Sequence, residues 1–426
     1  MRVLGLILII VSVLWPVPYY WELAAKHDNI ALFSQYLGSV SLILMGISQF
    51  LATRMKGLET LFGGLDRIYL LHKWLGISAM VAMMFHDTID AEMDGLGVET
   101  FLADAAEESG EIALYGLLIL VVISLTTFVP YELWKKTHKF IGAFFAMSAF
   151  HYLYILKPFA TLDPLGLYIT AFCVLGVVSY VYMLLLHGVV ERKHPYQISS
   201  LDQHHDVFKI RLSPLKKGIK HKAGQFAFLH ANQEVHPFTI AAGPQETREL
   251  TFYIKQLGDF TQQLGHAYQE GDTVHISRPS GHFTIRKKTN QVWVAGGIGI
   301  TPFLAWIDRL SEMPDQMVDL FFCVKRRSDL AAFDEQLNHP QVRLHTFVSE
   351  EGHRLNLAAM EEILGSEHAN PHVFFCGPKA LRALLQEKYK VTFEEFEMRS
   401  GLSLKFLLPV GEWLMTLILK RINQSK

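Results

Sequence analysis

The chain has 426 residues, 50% of them hydrophobic, and a mean hydropathy of +0.21, too long for one ordinary core and too apolar for a protein wholly in water. Two or more domains are expected, at least one of them in lipid. A net charge of -2 and a pI near 6.9 leave no basic excess for nucleic acid, so that class of partner is set aside. Cys173, Cys323 and Cys376 lie far apart and match no CxxC spacing, which argues against a zinc site, an iron–sulfur cluster or a disulfide framework.

Apolar runs nearly free of charge cover Val3 to Trp21, Ile30 to Ala52, Ile68 to Phe85, Ile112 to Tyr131, Phe140 to Leu156 and Leu165 to Val189. Most approach the roughly 20 residues that a helix needs to cross a bilayer, so six spans are expected. The alternative for the first, a cleaved signal peptide, is disfavoured by bulky Tyr19, Tyr20 and Trp21 where small cleavage-site residues would stand. Basic residues alternate between loops. Arg2, then Arg54, Lys56 and Arg67, then Lys135, Lys136 and Lys139, then Arg192 and Lys193 mark one side. The intervening loops offer only Lys26 and Lys157, and the longest is acidic, from Asp90 to Glu111. Basic loops stay in the cytoplasm, so a multi-pass cell-membrane protein with both termini inside is expected, spans three and five running parallel from the cytoplasm outward.

Span three carries His72 and His86, and span five carries His138 and His151. A lone intramembrane histidine is usually a hydrogen-bonded core residue, but two per span at similar spacing point to ligation. Two neutral imidazoles on facing helices close both axial positions of a haem iron, which leaves an electron carrier. The fourteen-residue step from His72 to His86 turns an ideal helix by about 1400°, keeping both on one face about 21 Å apart. Parallel spans pair His72 with His138 near the cytoplasm and His86 with His151 near the outer face. The thirteen-residue step from His138 to His151 leaves an ideal helix about 140° out of register, so local tightening near Gly142 or unequal approach angles would be needed. Arg67, Lys73 and Lys135 at the inner edge are candidate partners for haem propionates.

Beyond Val189 the pattern turns to alternating polar and apolar residues, and Glu191-Arg-Lys-His-Pro marks a domain boundary. Val207 to Leu212, Gln225 to His230, Leu250 to Lys255 and Thr273 to Ser277 read as strands of a small antiparallel barrel over 195–285. His236-Pro237-Phe238-Thr239 lies just after a strand, and Gly258-Asp-Phe-Thr261 opens a helix whose free amides suit phosphate. From 289 to 400 the order strand, glycine turn, helix, strand indicates a nucleotide-binding α/β domain. Its first strand ends in Gly296-Gly297-Ile-Gly299-Ile-Thr301-Pro302, and a later one in Cys376-Gly377-Pro378. Both turns are expected to face one crevice at the carboxyl ends of the strands.

The assembled pattern resembles the NADPH oxidase and ferric reductase superfamily over nearly the whole chain: the paired histidines, then HPFT, GDFT, GGIGITP and CGP in the family's order. The resemblance implies a six-helix transmembrane haem domain over 1–190, an FAD-binding β-barrel and an NAD(P)-binding domain, with FAD, two b haems and NADPH as cofactors and NADH also possible. It implies that Thr239 lies near the isoalloxazine and His236 near the FAD pyrophosphate, within the flavin motif that includes Pro237 and Phe238, with Gly258 and Thr261 as a second phosphate contact. Gly296, Gly297, Gly299 and Thr301 match the dinucleotide pyrophosphate loop, Cys376, Gly377 and Pro378 the nicotinamide end, and Phe396 the aromatic that stacks on the flavin.

Three features depart from the family. The barrel's usual GPYG-like turn reads Arg278-Pro279-Ser280-Gly281; the position of a further outer histidine in well-studied oxidases is Asp90; and no arginine stands in the outer halves of spans two and three. The implied activity is electron transfer from cytosolic NAD(P)H to an external acceptor, O2 giving superoxide by slight preference over a ferric chelate. A haem subunit serving quinone or a partner protein is the third reading, and the nicotinamide and flavin modules in the same chain argue against an obligate protein partner. Lys325, Arg326 and Arg327 are candidates for a 2′-phosphate, favouring NADPH. Residues 401–426 form an apolar extension interrupted by Pro409, Gly411 and Glu412, read as a surface amphipathic segment.

Overall fold

The computed structural model describes residues 3–394 except 56, 90–92, 94–95, 97–100, 127–128, 232–233, 286–290 and 366–370. Phe396, Asp90 and the extension 401–426 therefore lie outside the described residues. Two compact units meet in sequence at Val190 and Glu191.

The first unit is helical: α1 (Val3–Leu14), α2 (Val17–Leu23), α3 (Asn29–Ala52), α4 (Leu58–Phe62), α5 (Leu65–Thr88), α6 (Ala103–Leu125), α7 (Tyr131–His138), α8 (Ile141–Tyr154), α9 (Pro164–Val181) and α10 (His187–Val190), a π-turn at Tyr182–Leu186 joining the last two. Among the described residues, five stretches are long and apolar enough to cross a membrane: Val3–Leu23, Asn29–Ala52, Leu65–Thr88, Ala103–Leu125 and Pro164–Val190. The expected fifth span, Phe140 to Leu156, differs. It is the 14-residue α8, preceded by the separate α7. At about 1.5 Å per residue α8 reaches roughly 21 Å, short of a hydrocarbon core of about 30 Å. The fourth span also begins earlier than its apolar run: α6 already includes Asp104, Glu107, Glu108 and Glu111, and Asp104 in its first turn complements the helix dipole.

Helix α3 is central. Buried positions make up 67% of its most apolar 18-residue window, against 33% or less in those of the other four. Asp28 caps it by accepting from the Ile30 and Ala31 amides, both at 2.9 Å. It packs on α5 and α9, while α6 packs on α8. Small residues bring the backbones together: a Cβ at Gly46 would strike the Phe172 carbonyl, and one at Gly176 the Phe145 ring.

The second unit holds two sheets. The first is antiparallel, built from β1 (His194–His204), β2 (Val207–Pro214), β3 (Phe226–Ala231), β4 (Glu234–Thr239), β5 (Leu250–Lys255) and β6 (Thr273–Ile276) in the order β4-β3-β6-β1-β2-β5. The Ala241 amide donates to the Thr251 carbonyl at 2.8 Å, drawing the chain after β4 onto β5, so the sheet curls as the expected barrel would. Two strands differ from expectation. β1 is additional, and HPFT does not follow a strand but forms β4, paired with β3 so that Thr239 opposes Phe226 and His236 opposes Leu229. Because β4 ends the strand order, Pro237 costs no interior ladder bond. The nine-residue helix α11 (Asp259–Ala267) lies between β5 and β6.

The second sheet is parallel: β7 (Gln291–Gly296), β8 (Val318–Val324), β9 (Val342–Val348), β10 (His372–Cys376) and β11 (Val391–Glu394), ordered β11-β10-β7-β8-β9. Helices α12 (Thr301–Ile307), α13 (Asp334–Leu337), α14 (Leu357–Leu364) and α15 (Lys379–Gln386) connect and cover it. β7 is buried at every position, as a strand covered on both faces must be. Trp293, Phe303 and Trp306 pack together between this sheet and α12 without exposure.

Candidate functional site

His72, His86, His138 and His151 are each fixed by Nδ1 to a neighbouring helix. His72 Nδ1 lies 2.9 Å from the Ser48 carbonyl and 2.8 Å from its hydroxyl, which in turn reaches the His72 carbonyl at 3.3 Å. His86 repeats the arrangement on Ser34, with Nδ1 2.9 Å from both carbonyl and hydroxyl and the hydroxyl donating to the His86 carbonyl at 2.9 Å. Ser34 and Ser48 stand fourteen residues apart on α3, as His72 and His86 do on antiparallel α5, so one register makes both clamps. On α6, the Ala106 carbonyl takes His151 Nδ1 at 2.9 Å, and the Ser124 hydroxyl takes His138 Nδ1 at 2.9 Å. A carbonyl accepts only from an N–H, so the proton sits on Nδ1 of His72, His86 and His151, leaving the Nε2 lone pair for ligation. Among the described residues, no protein group hydrogen-bonds any of the four Nε2 atoms.

His72 and His138 face each other with ring centroids 6.1 Å apart and planes at 68°. Two imidazole–metal bonds of roughly 2.0–2.1 Å to one metal would put ring centroids about 6 Å apart, so this pair could hold one metal between the rings, a haem iron included. His86 and His151 line one cavity of about 330 Å³ between α3, α5, α6 and α8. Two glycines make room for them: a Cβ at Gly38 would stand 3.2 Å from the His86 ring, and one at Gly110 would strike the His151 ring. Asp87, Glu107, Glu111 and Lys157 also border this cavity. The thirteen-residue step is accommodated by the break between α7 and α8 at Lys139–Phe140, where Phe140 N bonds Thr137 O at 3.0 Å, rather than at Gly142. His138 and His151 thus do not share one helical register. Of the basic residues singled out as propionate partners, Arg67 pairs with Asp66 at 3.2 Å and Lys73 lies over the Trp74 ring at 5.8 Å.

In the second unit the HPFT and GDFT stretches meet. The His236 ring stacks on Phe260 at 4.1 Å and 18°, and its Nε2 lies 2.6 Å from Glu234 Oε2. Thr261 turns its hydroxyl back onto its own loop, accepting from the Leu257 and Gly258 amides at 2.9 and 3.0 Å, so the free amides are those of the first turn of α11. A Cβ at Gly258 would meet no protein atom within 4 Å: its missing side chain leaves open space beside those amides, as a bound phosphate needs. Phe226 bridges Thr239 and Ser280, bonding the Ser280 main chain at 3.0 and 2.8 Å, so the Arg278–Gly281 turn lies one strand from HPFT despite its altered sequence.

The two turns of the parallel sheet meet where its strand order reverses, between β7 and β10. A Cβ at Gly296 would reach Pro378 at 2.5 Å, and one at Gly299 would strike the Cys376 carbonyl. Those glycines serve the contact between the turns. Gly297 differs, with φ +55° and open space at its Cβ position. Thr301 is buried, its hydroxyl on the Ile298 carbonyl at 3.1 Å. Cys376 is buried at the end of β10, and burial pushes its thiol well above the ordinary range, so it stays neutral. After β8, Arg327 forms a two-pronged pair with Glu351 at 2.8 and 2.6 Å, Arg326 pairs with Asp329 at 3.1 Å and Asp206 at 3.4 Å, and Lys325 reaches Glu350 at 3.7 Å.

The family described as "Ferric reductase like transmembrane component" matches residues 37–149, an FAD-binding domain matches 193–299, and an oxidoreductase NAD-binding domain matches 293–387. A flavin- and nicotinamide-binding module behind a transmembrane reductase segment defines the class, and the chain belongs to the ferric reductase and NADPH oxidase-like superfamily of membrane oxidoreductases. It is similar to the carnitine monooxygenase reductase subunit of Escherichia coli (strain K12), 37% identical over 35% of this chain and 47% of that protein. It is also similar to the heme-dependent oxidative N-demethylase beta subunit of Ectopseudomonas mendocina (strain ymp), 29% identical over 39% of this chain and 54% of that protein. The chain thus spans about half the length of these curated relatives. Among solved structures, phthalate dioxygenase reductase aligns at 22% identity and a TM-score of 0.42 over 47% of this chain and 67% of that one.

Proposed function

We propose that the chain carries electrons from cytosolic NAD(P)H, by way of FAD and two b haems, across the membrane to an external acceptor. The observation that carries this reading is the set of four histidines held by Nδ1 in two levels, His72 with His138 and His86 with His151. Flavin takes a hydride's two electrons together and releases them singly, and haem carries one at a time. In this reading 1–190 is a six-crossing haem domain with both termini in the cytoplasm, α7 and α8 together making the fifth crossing. Residues 195–285 bind FAD through His236, Pro237, Phe238, Thr239, Gly258 and Thr261. Residues 289–400 bind the dinucleotide at Gly297 and the neighbouring turns of Gly296, Gly299, Thr301, Cys376, Gly377 and Pro378.

Asp87, Glu107 and Glu111 outnumber Lys157 around the outer cavity and favour a cationic acceptor, so ferric iron is the first reading and dioxygen giving superoxide the second. Purified protein supplied with NADPH and a ferric chelate under argon should form Fe(II). Superoxide trapped in air, with no Fe(II) under argon, would move the assignment to an oxidase. An optical spectrum with a haem-to-FAD ratio near two tests the whole scheme, and protein isolated with FAD but no haem would sink it.

A further inference from the structure

The four imidazoles are not held alike. The Nδ1 of His72, His86 and His151 reaches a main-chain carbonyl, of Ser48, Ser34 and Ala106, each at 2.9 Å. His138 reaches only a side chain among the described residues: Ser124 Oγ at 2.9 Å, whose own proton goes to the Leu120 carbonyl at 2.7 Å. Leu120 stands fourteen residues after Ala106 on α6, so the inner level repeats the outer one with a hydroxyl inserted between carbonyl and ring. An acceptor on Nδ1–H orients the ring and pushes electron density toward Nε2, which makes it a stronger donor to an oxidised metal. A main-chain acceptor survives any side-chain substitution; a hydroxyl does not.

We infer that Ser124 is a positioning residue that fixes the His138 ring and sets the reduction potential of the inner haem independently of the outer one. The inference rests on His138 being an iron ligand. Its test is the pair of midpoint potentials of the full chain in detergent, followed anaerobically in the haem α-band. Ser124→Ala should retain both haems and raise one potential by about a tenfold change in the oxidised-to-reduced ratio, roughly 59 mV for one electron. Ser48→Ala and Ser34→Ala, which keep their carbonyl acceptors, should move neither by that much, and Ser124→Thr should match the parent. If Ser124→Ala loses a haem, Ser124→Cys, a weaker acceptor, should keep it at a smaller upward shift. Unchanged potentials in haem-replete Ser124→Ala or Ser124→Cys, an equal shift in Ser48→Ala, or a shifted Ser124→Thr overturns the inference. A parent protein without haem overturns the functional reading instead, before any variant is made.

Discussion

The His72 and His138 rings meet edge-on, with centroids 6.1 Å apart and planes at 68°, each tied by Nδ1 to a serine on another helix, Ser48 of α3 and Ser124 of α6. Each ring is steered from behind by its serine.

Haem loss should therefore follow levels, not helices. His72→Ala and His138→Ala are each expected to leave about one haem per chain, and the double variant no fewer, because both remove the same iron site. The double variant of His72 and His86 should leave none. Pyridine haemochrome assays count the haem; a His72/His138 double variant with none would break the two-level pairing.

Gly38→Val and Gly110→Val test the room made for the outer pair. A side chain at either position meets the ring of His86 or His151, so the outer haem should be lost while the inner one stays. Retention of two haems with an unshifted spectrum would show that the rings have space to move aside.

The glycines of the soluble unit should separate into binding and packing roles. Gly258→Ala meets no protein atom, so the melting temperature should hold while FAD affinity falls about tenfold or more. Gly299→Ala drives a methyl into the Cys376 carbonyl and should cost about 1–3 kcal/mol of stability. Calorimetry and flavin fluorescence resolve the two; equal destabilisation would remove the distinction.

Arg326 and Arg327 are already engaged by carboxylates, so any grip on a 2′-phosphate competes with Glu351 and Asp329. Glu351→Gln is expected to raise the NADPH-over-NADH ratio of kcat/KM, and the Arg326→Ala, Arg327→Ala double variant to lower it about tenfold. An unchanged ratio in the double variant assigns these arginines to structure alone.

His221 offers a pH test. Burial lowers its pKa from the ordinary 6.5, and its Nε2 donates to the Ala242 carbonyl at 3.0 Å. The unfolded chain takes up the proton near 6.5 while the folded one resists, so this stability is complete above that pH and is lost as pH falls through and below it. His221→Gln keeps a donor without a charge to acquire, and should flatten that part of the melting-temperature profile of the flavin unit. A parallel profile in the variant would place the acid sensitivity elsewhere.

Much of this was legible in the sequence because it rests on residue type and spacing: four histidines in two apolar spans, and glycines at the ends of buried strands. What escaped rests on partners. The backbone carbonyls behind the histidines have no residue-type signature, though the serines fourteen apart at Ser34 and Ser48 did carry one. β1 was hidden because the bulge between Ile198 and Ser200 breaks its alternation, and β4 because Pro237 reads as a strand breaker except at a sheet edge. The split between α7 and α8 left only the mismatch of the thirteen-residue step as its trace.

The matched fourteen-residue steps of α3 and α5 act as a ruler. Inserting one residue between Ser34 and Ser48 would swing one clamp by about 100°, away from its histidine, whereas a whole turn added to both α3 and α5 keeps both clamps aligned. The spacing of the two histidine levels on α5, about 21 Å along an ideal helix axis, can therefore change only in jumps of roughly 5 Å. With haems at both levels, as proposed, substitutions around each ring would tune how strongly that level holds its electron, while the length of the hop stays fixed.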